Sequence, residues 1–250
     1  MRGNTLTKKE LVEVGGRPII WHVMRLFSAH SHNRFVLTLG FQAQQLRRYF
    51  LEYEAMRRDF TVRLAEPDNQ RNHPHIEFHG AVDHPPWQVT LAETGLNTEK
   101  GSRIARVGQY LAGDERFFVS YGDDVSDVDL TALEQFHRTH GKLATVTSVQ
   151  IDFSYGILEI DGADQVVAYQ QYPKLPYWIN GGFMLFERPV LDLFADGDDV
   201  KLETDVLTRL AEQGELMCYR HTGFWQSMNT MKDNILLEEM WQQGAPWKVW

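Results

Sequence analysis

The sequence predicts an α/β fold, a sheet covered on both faces by helices, with a smaller antiparallel portion added late in the chain. Three observations carry this. Amphipathic helical stripes alternate with short, continuously apolar runs through the first half of the chain, the rhythm of a covered parallel sheet. From Gly156 onward the apolar runs become short and closely spaced. The composition, 43% hydrophobic and 24% charged, is that of a globular chain able to bury a sizeable core without metal or disulfide. With no internal repeat and no low-complexity tract, residues 1–250 read as a single domain.

Residues 18–29 place Ile19, Ile20, Val23, Met24 and Phe27 on one helical stripe, with Pro18 suited to the first helical position. Residues 34–40, RFVLTLG, read as a buried strand, and 42–53 as a helix turning Leu46, Tyr49 and Phe50 inward. Between 59 and 86 the pattern loosens: Pro67, Pro74, Pro85 and Pro86 mark loops around short strands. A strand is expected at 87–95, a helix at 102–111, a strand at 116–121, a helix at 130–139 and a strand at 143–150. Short strands GILEI, VVAYQ and GGFMLFE follow, then a helix at 204–212, a strand beginning LMCYR, and a last helix at 231–242.

The charge balance narrows the function. Lys plus Arg number 25 against 34 Asp plus Glu, a net charge of −9, and the cations are scattered, so no basic face for nucleic acid is expected. A small anionic ligand is still accessible through local N–H groups and a few cations. No stretch is apolar over the length of a membrane span. Cys218 is the one cysteine, and the opening residues lack the apolar core of a secretory signal, so a reducing cytoplasm is the expected location.

The sharpest local signal is YGDD, 121–124, at the carboxyl end of a buried strand, where ligands of open α/β sheets bind and a carboxylate can hold a divalent cation against phosphate. Asp123 is the metal candidate; the alternative is that these acids cap the helix beginning near Asp129. An EF-hand over the same residues fails, because Val125 and Val128 stand where the ligand and the glycine belong. The polar loop 95–103, GLNTEKGSR, can offer N–H groups and Arg103 to a phosphate. His73, His75 and His79 alternate with Glu77; a solvated edge is favoured over zinc, since no closed tetrahedral ligand set is nearby. His137 and His140 are expected at the surface. Tyr177-Trp178 and Phe224-Trp225 suit either a sugar pocket or a tryptophan-rich core. Walker, dinucleotide-binding and nucleophile-elbow motifs are absent.

Taken together, VEVGGRPIIWHVM (12–24), WQVTLAETG (87–95), GSRIARV (101–107), YGD (121–123), HGKLATVT (140–147), WINGGF (178–183), GFWQSM (223–228) and GAPWKVW (244–250) resemble the glucose-1-phosphate cytidylyltransferases. That family makes CDP-glucose from CTP and glucose 1-phosphate with Mg²⁺. The resemblance implies a nucleotidyltransferase-type, Rossmann-like fold with a mixed, mostly parallel sheet, usually assembled into homo-oligomers. It also implies residue roles. Asp123 holds the metal together with position 229, and Asp123 and Arg103 carry the catalysis. Lys9, Lys100, Arg103 and Gly122 attend the nucleotide. Tyr155, Gly156, Trp178, Asn180, Gly181 and Gly182 receive the sugar phosphate.

The departures fall on the chemistry. Against the family pattern, the first strand and the loop L-A-G-G-x-G-T-R are not found, and Lys8-Lys9-Glu10 stands where P-K-P belongs. E-K-P becomes Gln171-Tyr172-Pro173, the aspartate of M-D-T becomes Asn229, and Lys100 replaces a threonine. Mg²⁺ binding is therefore expected to be weakened and turnover impaired. A non-catalytic nucleotide-sugar-binding or assembly subunit of a polysaccharide or CDP-sugar pathway is the alternative, and a truncated start is a third expectation. The family's strand order places the missing strand between 34–40 and 116–121, which would leave two facing edges without partners.

Overall fold

A computed structural model describes residues 7–64, 75–81, 85–153, 155–195 and 199–250. It begins with a 3₁₀ turn, Lys9–Leu11, and a hairpin of β1 (Glu13–Val14) and β2 (Arg17–Pro18). Gly15 in the hairpin turn has positive φ, and a Cβ there would fall 2.2 Å from the Trp241 ring, so both the turn and the packing demand glycine. Helix α1 (Ile19–Ala29), strand β3 (Arg34–Leu39) and helix α2 (Ala43–Leu51) follow in the expected order.

The loosely patterned region holds an exposed hairpin, β4 (Phe60–Arg63) with β5 (His75–Phe78). Strand β6 (Gln88–Glu93) and helix α3 (Lys100–Val107) come next, α3 tightening into a 3₁₀ turn at Gly108–Leu111. Then come β7 (Arg116–Val119), β8 (Asp124–Ser126), α4 (Leu130–His140) and β9 (Ala144–Val149). A second exposed hairpin is made by β10 (Ile157–Ile160) and β11 (Val166–Gln170). The chain continues through β12 (Ile179–Asn180), β13 (Met184–Glu187) and α5 (Leu191–Phe194). The helix expected at 204–212 opens earlier, as a wide π turn over Leu202–Leu207, before α6 (Thr208–Glu212). Strands β14 (Leu216–Arg220) and β15 (Trp225–Ser227) and helix α7 (Met231–Gln242) complete the order.

Five strands form one sheet, ordered β12-β9-β13-β7 with β14 beside β9. β14 runs parallel to β9, and β13 runs against both β9 and β7, so β7, β9 and β14 share a direction. β3 and β6 form a separate parallel pair. Ionic contacts at both ends set the relation of the two pieces. Arg34 at the start of β3 pairs with Asp114 just before β7. At the other end the Lys8 ammonium donates to the Phe41 carbonyl at 3.0 Å, past β3, while neighbouring Lys9 pairs with Asp123, past β7. β3 and β7 therefore lie side by side with their carboxyl ends together. Among the described residues no strand pairs with their facing edges, and a cavity of about 1950 Å³ separates them.

Helix α1 lines the cavity with Ile20, Val23, Met24 and Phe27. Behind β13, Phe117, Phe186, Phe194, Leu202 and Leu210 form the largest apolar cluster. Among the described residues no helix is long and apolar enough to cross a membrane.

His137 corrects one expectation: it is 1% exposed rather than superficial. Its Nδ1 meets the Thr145 hydroxyl at 2.7 Å and its Nε2 the Glu187 carboxylate at 3.2 Å, so the histidine face of α4 turns toward the sheet. His140, half-buried, reaches the same hydroxyl at 2.7 Å. His73, Pro67 and Pro74 lie outside the described residues. His79 bonds the Thr61 hydroxyl at 2.8 Å, and no group of three or more His, Cys, Asp or Glu among the described residues could hold a metal.

Candidate functional site

The carboxyl ends of β3 and β7 form one rim of the cavity, and most of the residues singled out by sequence converge there. Asp123 ends the loop that follows β7. The antiparallel pairing of β8 with β15 sets Ser227 opposite Asp124, and Met228 N–H donates to the Asp123 carbonyl at 2.9 Å. This pairing brings Asn229 beside Asp123. Asn229 is held there twice: its side-chain amide donates to the Ser227 hydroxyl at 2.9 Å, and its backbone N–H donates to Asp233 at 2.9 Å. Asp233 also forms the capping box of α7 with Thr230. Asp123 and Asp124 do not cap α4; Asp129 does, accepting from Ala132 N–H at 2.9 Å.

Lys9 completes this corner. Its ammonium forms an ion pair with Asp123 and donates to Asn229 Oδ1 at 2.9 Å. Gly122 packs closely here: a Cβ would come 3.1 Å from the Glu10 side chain, on the same 3₁₀ turn as Lys9.

The other cations on the rim are also engaged. Arg103 donates to the Thr98 carbonyl at 2.9 Å, the Leu39 carbonyl at 3.0 Å, the Thr94 hydroxyl at 2.7 Å and the Leu96 carbonyl at 3.2 Å. It thereby staples the 94–98 turn to the end of β3. Lys100 pairs with Glu203 and sits 4.7 Å from the centre of the Tyr121 ring. Tyr121 donates to the same Glu203 oxygen at 2.8 Å and receives a bond from the Asn180 amide at 3.4 Å. Burial, and then the bond to Glu203, raise the Tyr121 phenol above its ordinary value. Burial works against ionisation of Glu203, but the bonds from Lys100 and Tyr121 hold its carboxyl below the usual range.

On the sugar-phosphate side the sequence candidates separate. Asn180 lines the cavity, and its own side chain caps Gly182 N–H at 2.9 Å. Gly182 has positive φ, and a Cβ would approach Tyr121 at 3.1 Å. Gly181 offers its carbonyl to the Trp225 indole at 2.9 Å. Trp178 faces the Arg220 guanidinium at 5.4 Å, and Tyr155 and Gly156 belong to the exposed hairpin region, where a Cβ on Gly156 would meet the Tyr169 ring. None of those three is among the residues lining the cavity.

Three rim residues have roles that a reading of the sequence does not assign. Tyr121 stands inside the YGDD motif but carries no charge, and Glu203 lies far along the chain in a turn with no distinctive pattern. Asp124 is 4% exposed, and burial pushes its carboxyl up to about 7 against a hydrogen bond from Ser227. Doubling of the acid in YGDD was the available sign.

The resemblance implies Mg²⁺ at Asp123 and position 229. The residues present do not fit it: of the two donors one is a neutral amide, and an ammonium touches both.

No protein-family model matches the chain. It is 40% identical, over 97% of its length, to glucose-1-phosphate cytidylyltransferases of Salmonella typhi and Salmonella typhimurium, and covers 91% of each. Among solved structures, HddC from Yersinia pseudotuberculosis shares the fold with a TM-score of 0.65 at 17% identity, over 96% of this chain and 92% of that one. The same protein complexed with GMP-PN matches with a TM-score of 0.65 at 16% identity, over 96% and 93%. At 40% identity across 97% of its residues, the chain belongs to the glucose-1-phosphate cytidylyltransferase family.

Proposed function

We propose that this chain binds a cytidine nucleotide and glucose 1-phosphate at the rim above β3 and β7 and forms CDP-glucose slowly. In that reaction a phosphate oxygen of glucose 1-phosphate attacks the α-phosphorus of CTP in line, the α–β phosphoanhydride bond breaks, and pyrophosphate leaves with the electron pair. Catalysis of this kind is positioning and charge neutralisation. The observation that carries the reading is the employment of the cations: Lys9 is engaged by Asp123, Lys100 by Glu203, and Arg103 by three carbonyls and a hydroxyl. Each already shares its charge with a protein partner, which weakens what it can offer to phosphate. Loss of a single well-placed donor costs about 10²–10³ in rate.

A second reading, a non-catalytic nucleotide-sugar-binding or assembly subunit, draws on the β10–β11 hairpin. Ile157, Leu158, Ile160, Val166, Val167 and Tyr169 are all exposed on it, and a lone two-stranded hairpin is marginal in water, which supports burial against another copy of the chain. Sedimentation of the chain tests that assembly.

The function is tested with purified protein by following CDP-glucose formation from CTP and glucose 1-phosphate, alongside calorimetry with CTP and CDP-glucose. Binding with slow turnover that falls further in Asp123→Ala supports the first reading. Binding without turnover selects the second. Turnover near the common enzymatic value of about 10 s⁻¹ defeats impairment, and absence of both binding and turnover sinks both readings.

A further inference from the structure

We infer that the Lys9 ammonium is the resident cation of this site and keeps divalent metal ions out of it. Its Nζ contacts the Asp123 carboxylate and, at 2.9 Å, the Asn229 amide oxygen, and so occupies the point where the two intended metal donors converge. The contact is built from both sides. Asn229 spends its amide N–H on Ser227 at 2.9 Å, which turns its oxygen toward Lys9, and Asp233 fixes its backbone. Lys9 starts a 3₁₀ turn whose preceding residue is tied down, Lys8 N–H donating to Gln45 at 2.7 Å and its ammonium to Phe41 at 3.0 Å.

The chemistry of the donors agrees with an ammonium. One carboxylate and one amide oxygen satisfy two of its three N–H bonds, with the third left for water or phosphate, the Lys9 side chain being 28% exposed. A Mg²⁺ or Mn²⁺ ion would have to enter against a tethered positive charge at contact distance from both donors. An ammonium attached to the chain is never diluted away, so the site is charged at every metal concentration. The inference rests on the same site as the proposed function but needs no nucleotide to bind.

The experiment titrates Mn²⁺ alone into the protein and reads free Mn²⁺ by electron paramagnetic resonance, with no nucleotide present. The unsubstituted chain is expected to leave Mn²⁺ free. Lys9→Met, or Lys9→Gln should the first fail to fold, is expected to gain one site per chain, at least about tenfold tighter. Lys9→Arg, which restores the charge, should stay silent, and Asp123→Asn added to Lys9→Met should erase the gain. Thermal unfolding by circular dichroism confirms that each variant is folded. Mn²⁺ binding by the unsubstituted chain that is lost in Asp123→Asn overturns the inference without any Lys9 variant. So does a folded Lys9→Met that gains nothing, or a gain indifferent to Asp123.

Discussion

Helix α1 divides two regions with opposite packing. On one face His22 is 1% exposed, its Nε2 donating to the Val14 carbonyl at 2.9 Å and its Nδ1 accepting from the Trp247 indole at 3.2 Å. Trp241 lies edge-on to the same ring at 5.0 Å and Trp247 at 5.9 Å. On the other face the helix lines a cavity bounded by β3 and β7, whose facing ladders find no strand among the described residues. The first region is closed because residues from the end of the chain return to cover it and satisfy its polar atoms. The second is open, and the charged rim has gathered at its mouth. Close packing and open space thus lie on different faces of one helix.

The largest expected effect tests the closed face. Trp247→Ala should lose about 3–5 kcal/mol in urea unfolding, as large aromatic truncations in full cores do. A smaller loss would mean that the corner is looser than its geometry. The next effect is at the mouth of the cavity and has a definite sign. Asp124 titrates near 7 folded and near 3.8 unfolded, so its contribution is complete below about 3.8 and is lost as pH rises through about 7. The loss amounts to roughly 4 kcal/mol, and unfolding of Asp124→Asn between pH 4 and 8 should show a flatter profile. In the corner the sign reverses. Burial lowers His22 to about 4, so stability is lost as pH falls from 6.5 through about 4, by roughly 3 kcal/mol; His22→Gln should remove that slope. The smallest effect belongs to the open edge: Leu37→Ala, half-buried on β3, should cost less than about 1.5 kcal/mol. A cost equal to that of Trp247→Ala would erase the contrast between the faces.

Much of this arrangement was legible from the chain. Helix α1 announces itself because its buried residues recur at helical spacing, and Asp123 because YGDD follows a buried run. Unpartnered facing edges on 34–40 and 116–121 were implied by the strand order of the family the chain resembles, and among the described residues no strand pairs there. What stayed hidden is what long-range contact decides. Lys9 meets Asn229 across 220 positions, and Tyr121 meets Glu203 across 82, and neither pairing leaves a local pattern. His137 looked superficial because its partners, Thr145 and Glu187, lie on strands that only the folded sheet sets against α4. The π turn at Leu202–Leu207 has no helical-period signature to betray it.

Helix α7 joins the two faces mechanically. Its amino-terminal cap grips the backbone of Asn229, while Leu237 and Trp241 near its far end are wedged into the tryptophan corner. The helix behaves as a strut between tail and mouth. Loosening the last residues of the chain would let that strut pivot and carry the Asn229 oxygen away from its ammonium partner, so damage at the tail would be felt at the mouth.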